Sequence, residues 1–187
     1  MRLQPLKKVD LVGEQAELFD ALVGKSVGRG ESFVLDEQGA VRGPFAALLR
    51  HPASGRPLQE MAAVLRFAGL LTDAAREAVI LVVAAHWRDE HEWWMHEAIG
   101  RRAGMTDEQL AAIHDGTPAT FTDPLSQAAH DAAYAIVNRN DLTDVEYENV
   151  QRVLGDERLV EVTVIVGYYG LLSMQLRVFR VPGPQPF

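Results

Sequence analysis

Apolar positions recur along this chain at three- and four-residue spacing, and the segments they define are separated by glycine, proline and capping residues. Leu18, Phe19 and Leu22 mark a short amphipathic helix over 14–23. Gly43-Pro44 opens another towards His51, with proline in the first turn where its missing N–H is tolerated, and Pro52 stops it. The next is predicted from Leu58 to Leu70, with Met61, Val64, Leu65 and Ala68 as its apolar positions. Thr72 or Asp73 caps a helix from Ala74 to about Trp87. Its centre, Val79 to Ala85, is apolar on every side, as expected of a helix at the middle of a bundle. The β-branched run also suits a buried strand, but no second strand exists to pair with it, so helix is preferred.

Further along, Asp89 to Ala103 reads as a helix ended by Gly104. Thr106 and Gln109 form a capping box for a short helix to His114, and Pro124 to about Asn138 is helical. Thr143 with Glu146 caps another, and Asp156 begins a last long helix to about Phe179. That helix carries Val160, Val164, Gly167, Tyr168, Leu171 and Gln175 along one stripe. Gly24 to Gly43 is a glycine-punctuated connection with Gly28 and Gly30. It lacks the Lys-Ser or Lys-Thr ending of a phosphate-binding loop. The fold class that follows is all-α. The expected organisation is an N-terminal helix and glycine-rich loop over 1–42, a helical domain over 43–180, and an extended proline-rich arm over 181–187.

Composition narrows the chemistry. A chain of 187 residues, 48% hydrophobic and 24% charged, is long enough for one substantial core. Its formal charge of −8 argues against nucleic acid as a partner, because phosphate binding needs a basic surface. The absence of cysteine excludes disulfides, thiolate metal sites and thiol redox catalysis within the chain. Met1 to Gly13 has no long apolar run, and the longest apolar stretch, Ala78 to Ala85, falls well short of the roughly 20 residues of a bilayer span. The expectation is a cytoplasmic protein with no membrane partner.

The densest chemistry lies in Trp87 to His96, which holds three acids, two histidines and three tryptophans. On a helix, Asp89, Glu92, Trp93, His96, Ile99, Gly100 and Ala103 share a face. That face is partly apolar and is predicted to point inward. Buried charges are costly unless paired or used, so the pattern suggests general acid/base chemistry. His96 transfers protons near neutral pH and Glu92, one turn earlier, orients its ring. The alternative from spacing alone is a helix pair, or a histidine satisfying a buried carbonyl. Glu92 and His96, with Asp89 and His86 nearby, also suit a metal, but di-iron bundles repeat Glu-x-x-His on two helices and no second pair occurs here. No metal or cofactor is therefore expected. Trp93 and His86 are candidates to line a substrate pocket, and Tyr168 is a candidate to donate a hydrogen bond into it.

Three segments in order, Glu77 to Ala84, Glu92-Trp-Trp-Met-His96 and Ala103 to Ile113, resemble the carboxymuconolactone decarboxylase and alkylhydroperoxidase D superfamily. The resemblance extends back to Gly43 to Pro52 and forward to Val166 to Met174. It implies a compact helical bundle of the alkylhydroperoxidase D-like type that assembles as a homo-oligomer (dimer, trimer or hexamer). The peroxidase branch carries a glutamate, a C-x-x-C pair and a histidine. Glu77 and His96 match the first and last of these, while Asp89 and Glu92 stand at the cysteine positions. Carboxylates cannot attack a peroxide or form a disulfide, so the resemblance does not carry peroxidase chemistry here. The decarboxylase branch needs no cysteine. It implies loss of carbon dioxide from an unsaturated lactone acid, with His96 as proton donor and Glu77 or Glu92 holding its tautomer. Arg88 is the nearest cation in this segment, and Asp89 and Glu92 repel a dicarboxylate. A neutral or monoanionic small molecule undergoing proton transfer, isomerisation or lactone chemistry is as well suited. The alternatives are a non-catalytic ligand-binding relative and a metal-dependent enzyme using Asp89, Glu92 and His96.

Overall fold

Helices form where capping residues and apolar spacing place them. The computed structural model describes residues 2–26, 34–181 and 183, with α1 (Glu14–Ser26), α2 (Phe45–Leu48), α3 (Pro52–Phe67), α4 (Asp73–Trp87), α5 (Glu90–Arg102), α6 (Asp107–His114), α7 (Pro124–Arg139) and α8 (Asp144–Phe179). Among the described residues there is no β-strand, only two isolated bridges, Lys7 with Ala40 and Leu35 with Val41. Gly28, Gly30 and most of the expected C-terminal arm lie outside the described residues. The chain folds as two compact units. One is built from the residues up to Ala68 with the end of α8, the other from Gly69 to Met174.

The first unit buries Leu11, Leu18, Phe19, Leu22, Val34, Val41 and Leu49 in a common core. Its α3 departs from expectation at both ends and in its buried face. The helix begins at Pro52, six residues before Leu58, and ends at Phe67. Pro52 stops α2 but also serves as the first residue of α3, where its fixed φ suits a helix start and its missing N–H is not needed. Met61 and Val64, expected on the apolar side, are exposed, whereas Gly55, Gln59 and Leu65 are buried.

Gly55 explains how α3 seats so closely. A Cβ there would fall on the Leu48 carbonyl oxygen and lie 2.9 Å from Leu18 Cδ2. In an open helix, Gly→Ala stabilises by about 1 kcal/mol. Here Gly55→Ala is expected to destabilise instead, by about 1–3 kcal/mol, because backbone must move. Urea denaturation of the variant checks the sign.

The second unit is organised around α4. Thr72 caps it by accepting from the Ala75 N–H, and every residue from Ala75 to Ala84 is buried. Helices α5, α6 and α7 pack against it. Alanines 128, 129, 132, 133 and 135 are five of the seven buried residues of α7, with Ser126 and His130, and small side chains let the two backbones approach closely. Arg88 ends α4 in the left-handed conformation at φ 50°. The predicted capping box of α6 is present, with Thr106 and Gln109 each bonding the other's backbone.

Helix α8 contains a break at Gly155, whose φ of 71° and ψ of 170° are open essentially to glycine alone. This is the boundary expected before Asp156. The expected stripe is corrected, however. Val160 and Leu171 are exposed, 60% and 36%, as is Gly167, while Leu159, Val162, Ile165, Tyr168, Tyr169 and Leu172 are buried. This segment is apolar on nearly every side, so periodicity cannot single out one face. Among the described residues α8 is also the one helix long and apolar enough, by length and composition, to cross a membrane. A core helix passes the same test, and 44% of its most apolar window is buried.

The start of α8 supplies a pH-dependent contribution. The backbone N–H and hydroxyl of Thr143, together with Arg139, hold the Glu146 carboxyl down to about 2 from its ordinary 4.5. A depressed carboxyl stabilises the fold above 4.5 and loses that contribution as pH falls from 4.5 towards 2. Glu146→Gln is therefore expected to be less stable than the parent at neutral pH, with the difference shrinking across that acid range. Denaturation midpoints at several pH values measure it.

Candidate functional site

Helices α4 and α5 meet at a buried ionisable cluster. Glu77 sits one turn into α4, and His96 lies in the middle of α5, each 3% exposed in its side chain. His96 Nδ1 lies 2.6 Å from Glu77 Oε2, a hydrogen bond between groups 19 residues apart. The other ring nitrogen, Nε2, faces Glu92 Oε2 at 3.6 Å, beyond a hydrogen bond. Glu92 is itself buried, its side chain 6% exposed. One imidazole thus stands between two carboxylates in the interior. The close approach depends on Gly100, one turn after His96. A Cβ there would meet Met105 Sδ at 2.8 Å and Leu81 Cδ1 at 3.3 Å, with Glu77 Cβ at 3.8 Å.

Two residues unforeseen in the sequence complete the cluster. Arg76 Nε lies 3.5 Å from Glu77 Oε1, and its Nη2 donates to Asp73 Oδ1 at 2.7 Å. Tyr169 packs edge-on against the His96 ring, with centroids 5.1 Å apart and planes at 89°. No local signal pointed to either. Arg76 looks like any helix arginine until α4 is buried, and Tyr169 stands beside Tyr168, the residue expected to enter the site. Tyr168 instead touches the edge of Tyr169, one ring removed from His96.

The remaining candidates are not drawn into the same contacts. Asp89 is buried, but as the N-cap of α5: its Oδ1 accepts from the His91 and Glu92 N–H groups at 3.0 and 3.2 Å. A side chain that begins a helix is placed by the helix's own backbone, which accounts for an acid at this position without chemistry. Its second oxygen, Oδ2, is buried with no hydrogen-bond partner among the described residues. Trp93 is buried and packs on His114, ring centroids 4.9 Å apart. His86 is exposed and lies edge-on to Trp87. His130, given no role from the sequence, is fully buried and accepts from the Ala119 N–H through Nε2, a structural use. Among the described residues no group of three or more His, Asp or Glu is disposed to hold a metal ion.

Comparison with known proteins follows the same frame. Residues 52–135 match the model of the Carboxymuconolactone decarboxylase family. This stretch of the chain is similar to the carboxymuconolactone decarboxylase family. It runs from α3 through most of α7 and holds Arg76, Glu77, Glu92 and His96. A solved structure described as an alkylhydroperoxidase AhpD core, an uncharacterized peroxidase-related protein from Ralstonia eutropha JMP134, superposes with a TM-score of 0.75. The match covers 98% of this chain and 92% of that one at 16% identity, a likeness of fold. No curated protein matches in sequence. The all-α, alkylhydroperoxidase D-like fold is thereby established, and the chain is cysteine-free.

Chemically, the matched stretch offers one well-defined device. With Glu77 accepting at Oε2, the proton of a neutral imidazole is held on Nδ1, and Nε2 is left as the nitrogen that gains or gives a proton. Tyr169, packed edge-on, limits rotation of the ring. Nothing in the set is a thiol, so the peroxidase chemistry of cysteine-bearing relatives has no nucleophile here.

Proposed function

We propose that this chain is a carboxymuconolactone decarboxylase-like enzyme that carries out cofactor-free acid/base chemistry on a small organic acid or lactone. The observation that carries this reading is the His96 ring held between Glu77 and Glu92 in a buried, family-matched position. Stabilising two buried carboxylates around an imidazole costs a fold more than an apolar core would, so the arrangement is better explained by use than by stability.

In the decarboxylation step, the bond between ring carbon and carboxylate breaks and its electron pair passes into the conjugated lactone carbonyl. Carbon dioxide leaves and a dienolate remains. Nε2–H of the protonated His96 then delivers its proton to carbon, giving back the neutral imidazole with its remaining proton on Nδ1 against Glu77. Solvent restores the proton consumed. Isomerisation uses the same nitrogen twice, first as base and then as acid, with Glu92 positioned to share the proton between the two steps. Substrates of low negative charge suit the site best, because Glu77 and Glu92 outnumber Arg76, the single buried Lys or Arg among the described residues.

The test is a panel of unsaturated lactones with and without a carboxyl group, incubated with the full chain in deuterated water. Carbon dioxide release, double-bond migration or deuterium uptake at carbon is expected for at least one compound, and is expected to vanish in His96→Gln. If no compound reacts above the buffer rate, or if His96→Gln reacts as fast as the parent, the proposal is wrong.

A further inference from the structure

We propose that Arg76 is a positioning residue of this site, pinning Glu77 from the side opposite His96 and so fixing which ring nitrogen of His96 carries the exchangeable proton. The proposal deepens the acid/base reading above and rests on it for its kinetic part.

Three observations carry it. First, Arg76 is buried, with a side chain 11% exposed, whereas Arg88, the cation nearest the site in sequence, is exposed at the end of α4. A guanidinium seldom leaves water unless it is paired. Second, its two contacts divide the fork. Nη2 is tied at 2.7 Å to Asp73, whose side chain is 74% exposed, and Nε turns towards Glu77 Oε1 at 3.5 Å. Glu77 therefore has one oxygen facing a cation and the other, Oε2, committed to His96 Nδ1 at 2.6 Å. Arginine can serve both partners because its donors are fixed in one plane, which a lysine ammonium cannot reproduce.

Third, the charges balance only with Arg76 included. Around His96 stand Glu77 and Arg76 from α4, Glu92 from its own helix α5, and the neutral ring of Tyr169 from α8. Counting the buried groups alone, with both carboxylates ionised and Asp73 left to solvent, the cluster carries one net negative charge with a neutral imidazole and none with a protonated one. Without Arg76 those counts become two and one, and burying the excess is costly. Arg76 thus brings the cluster to neutrality when His96 holds its second proton, the state from which Nε2–H is delivered. A carboxylate freed from Arg76 can rotate, so Nδ1 loses its fixed acceptor and the ring is free to move its single proton to Nε2.

The experiment reads the ring directly. Nitrogen-15 spectra of the histidine rings in the full chain, with the His96 signals assigned by their loss in His96→Gln, report the tautomer without any substrate. The parent is expected to show one His96 tautomer, protonated on Nδ1. Arg76→Gln is expected to give a mixture of the two tautomers. Asp73→Asn, which loosens Arg76 from an exposed position, is expected to shift the same populations less and keeps the test open if Arg76→Gln does not fold. With a substrate in hand, Arg76→Gln is expected to lower kcat about tenfold with KM little changed. Unchanged tautomer populations in both variants overturn the role of Arg76 whatever the activity. Altered populations in a chain that turns over none of the panel uphold the positioning role and count against the acid/base function alone.

Discussion

His96→Ala is expected to lower turnover about 10²–10⁴-fold and at the same time to destabilise the fold by about 3–5 kcal/mol. The two losses have different origins. Turnover falls because no other group among the described residues stands between Glu77 and Glu92 with a nitrogen that can carry the proton. Stability falls because the imidazole is the hydrogen-bond partner of Glu77 Oε2, and its removal leaves a carboxylate oxygen buried without a donor. His96→Gln separates the effects. Its amide can still donate to Glu77, so much of the stability is expected to return, while an amide cannot carry a proton and turnover stays low. Denaturation in urea and steady-state turnover on the compound identified by the lactone panel measure both quantities on the same preparations. Full turnover in either variant would remove His96 as the proton carrier. An alanine variant as stable as the parent would mean that the Glu77–His96 contact contributes nothing to the fold.

The contrast between what sequence reveals and what it hides is physical, and this site shows both sides. Thr72, Thr106 with Gln109, and Thr143 with Glu146 could be read from the chain because each bonds a partner only three residues away. Helix α4 could be read because an all-round apolar run admits one placement, inside. The approach of His96 to Glu77 is different in kind. Those residues are 19 apart, and periodicity on α5 alone shows that His96 faces inward without showing what it meets. The family resemblance singles out Glu77 and His96 but leaves open whether Glu77 or Glu92 holds the ring. It could not supply Arg76, whose use depends on burial of the helix end, nor choose Tyr169 over Tyr168, a difference of 100° around α8. The cap role of Asp89 is hidden in the sequence for a related reason. Spacing put it on the inward face with Glu92 and His96, but it precedes the first turn of α5 and its geometry is that of a cap. The start of α3 is not legible because a proline can both stop one helix and begin the next, and local sequence does not say which.

The largest purely structural effect is expected at the layer beneath the site. Leu81 is fully buried on α4, one turn beyond Glu77, and its Cδ1 approaches the place where a Gly100 side chain would begin. Leu81→Ala removes three carbons there and is expected to cost about 2–5 kcal/mol, the spread reflecting how far the surrounding helices can close the cavity. Gly100→Ala in the parent is expected to be nearly neutral. The gain of about 1 kcal/mol from replacing a helical glycine is offset by displacing Met105 Sδ, the flexible end of a side chain, and by crowding Leu81. In the Leu81→Ala background the crowding from Leu81 is gone, so Gly100→Ala should recover part of the loss. A coupling of about 0.5–3 kcal/mol in the double-mutant cycle is the expected signature of this contact. Strict additivity of the two changes would show that Gly100 and Leu81 do not meet, and with that the account of how α5 comes close enough to α4 for His96 to reach Glu77 would fail.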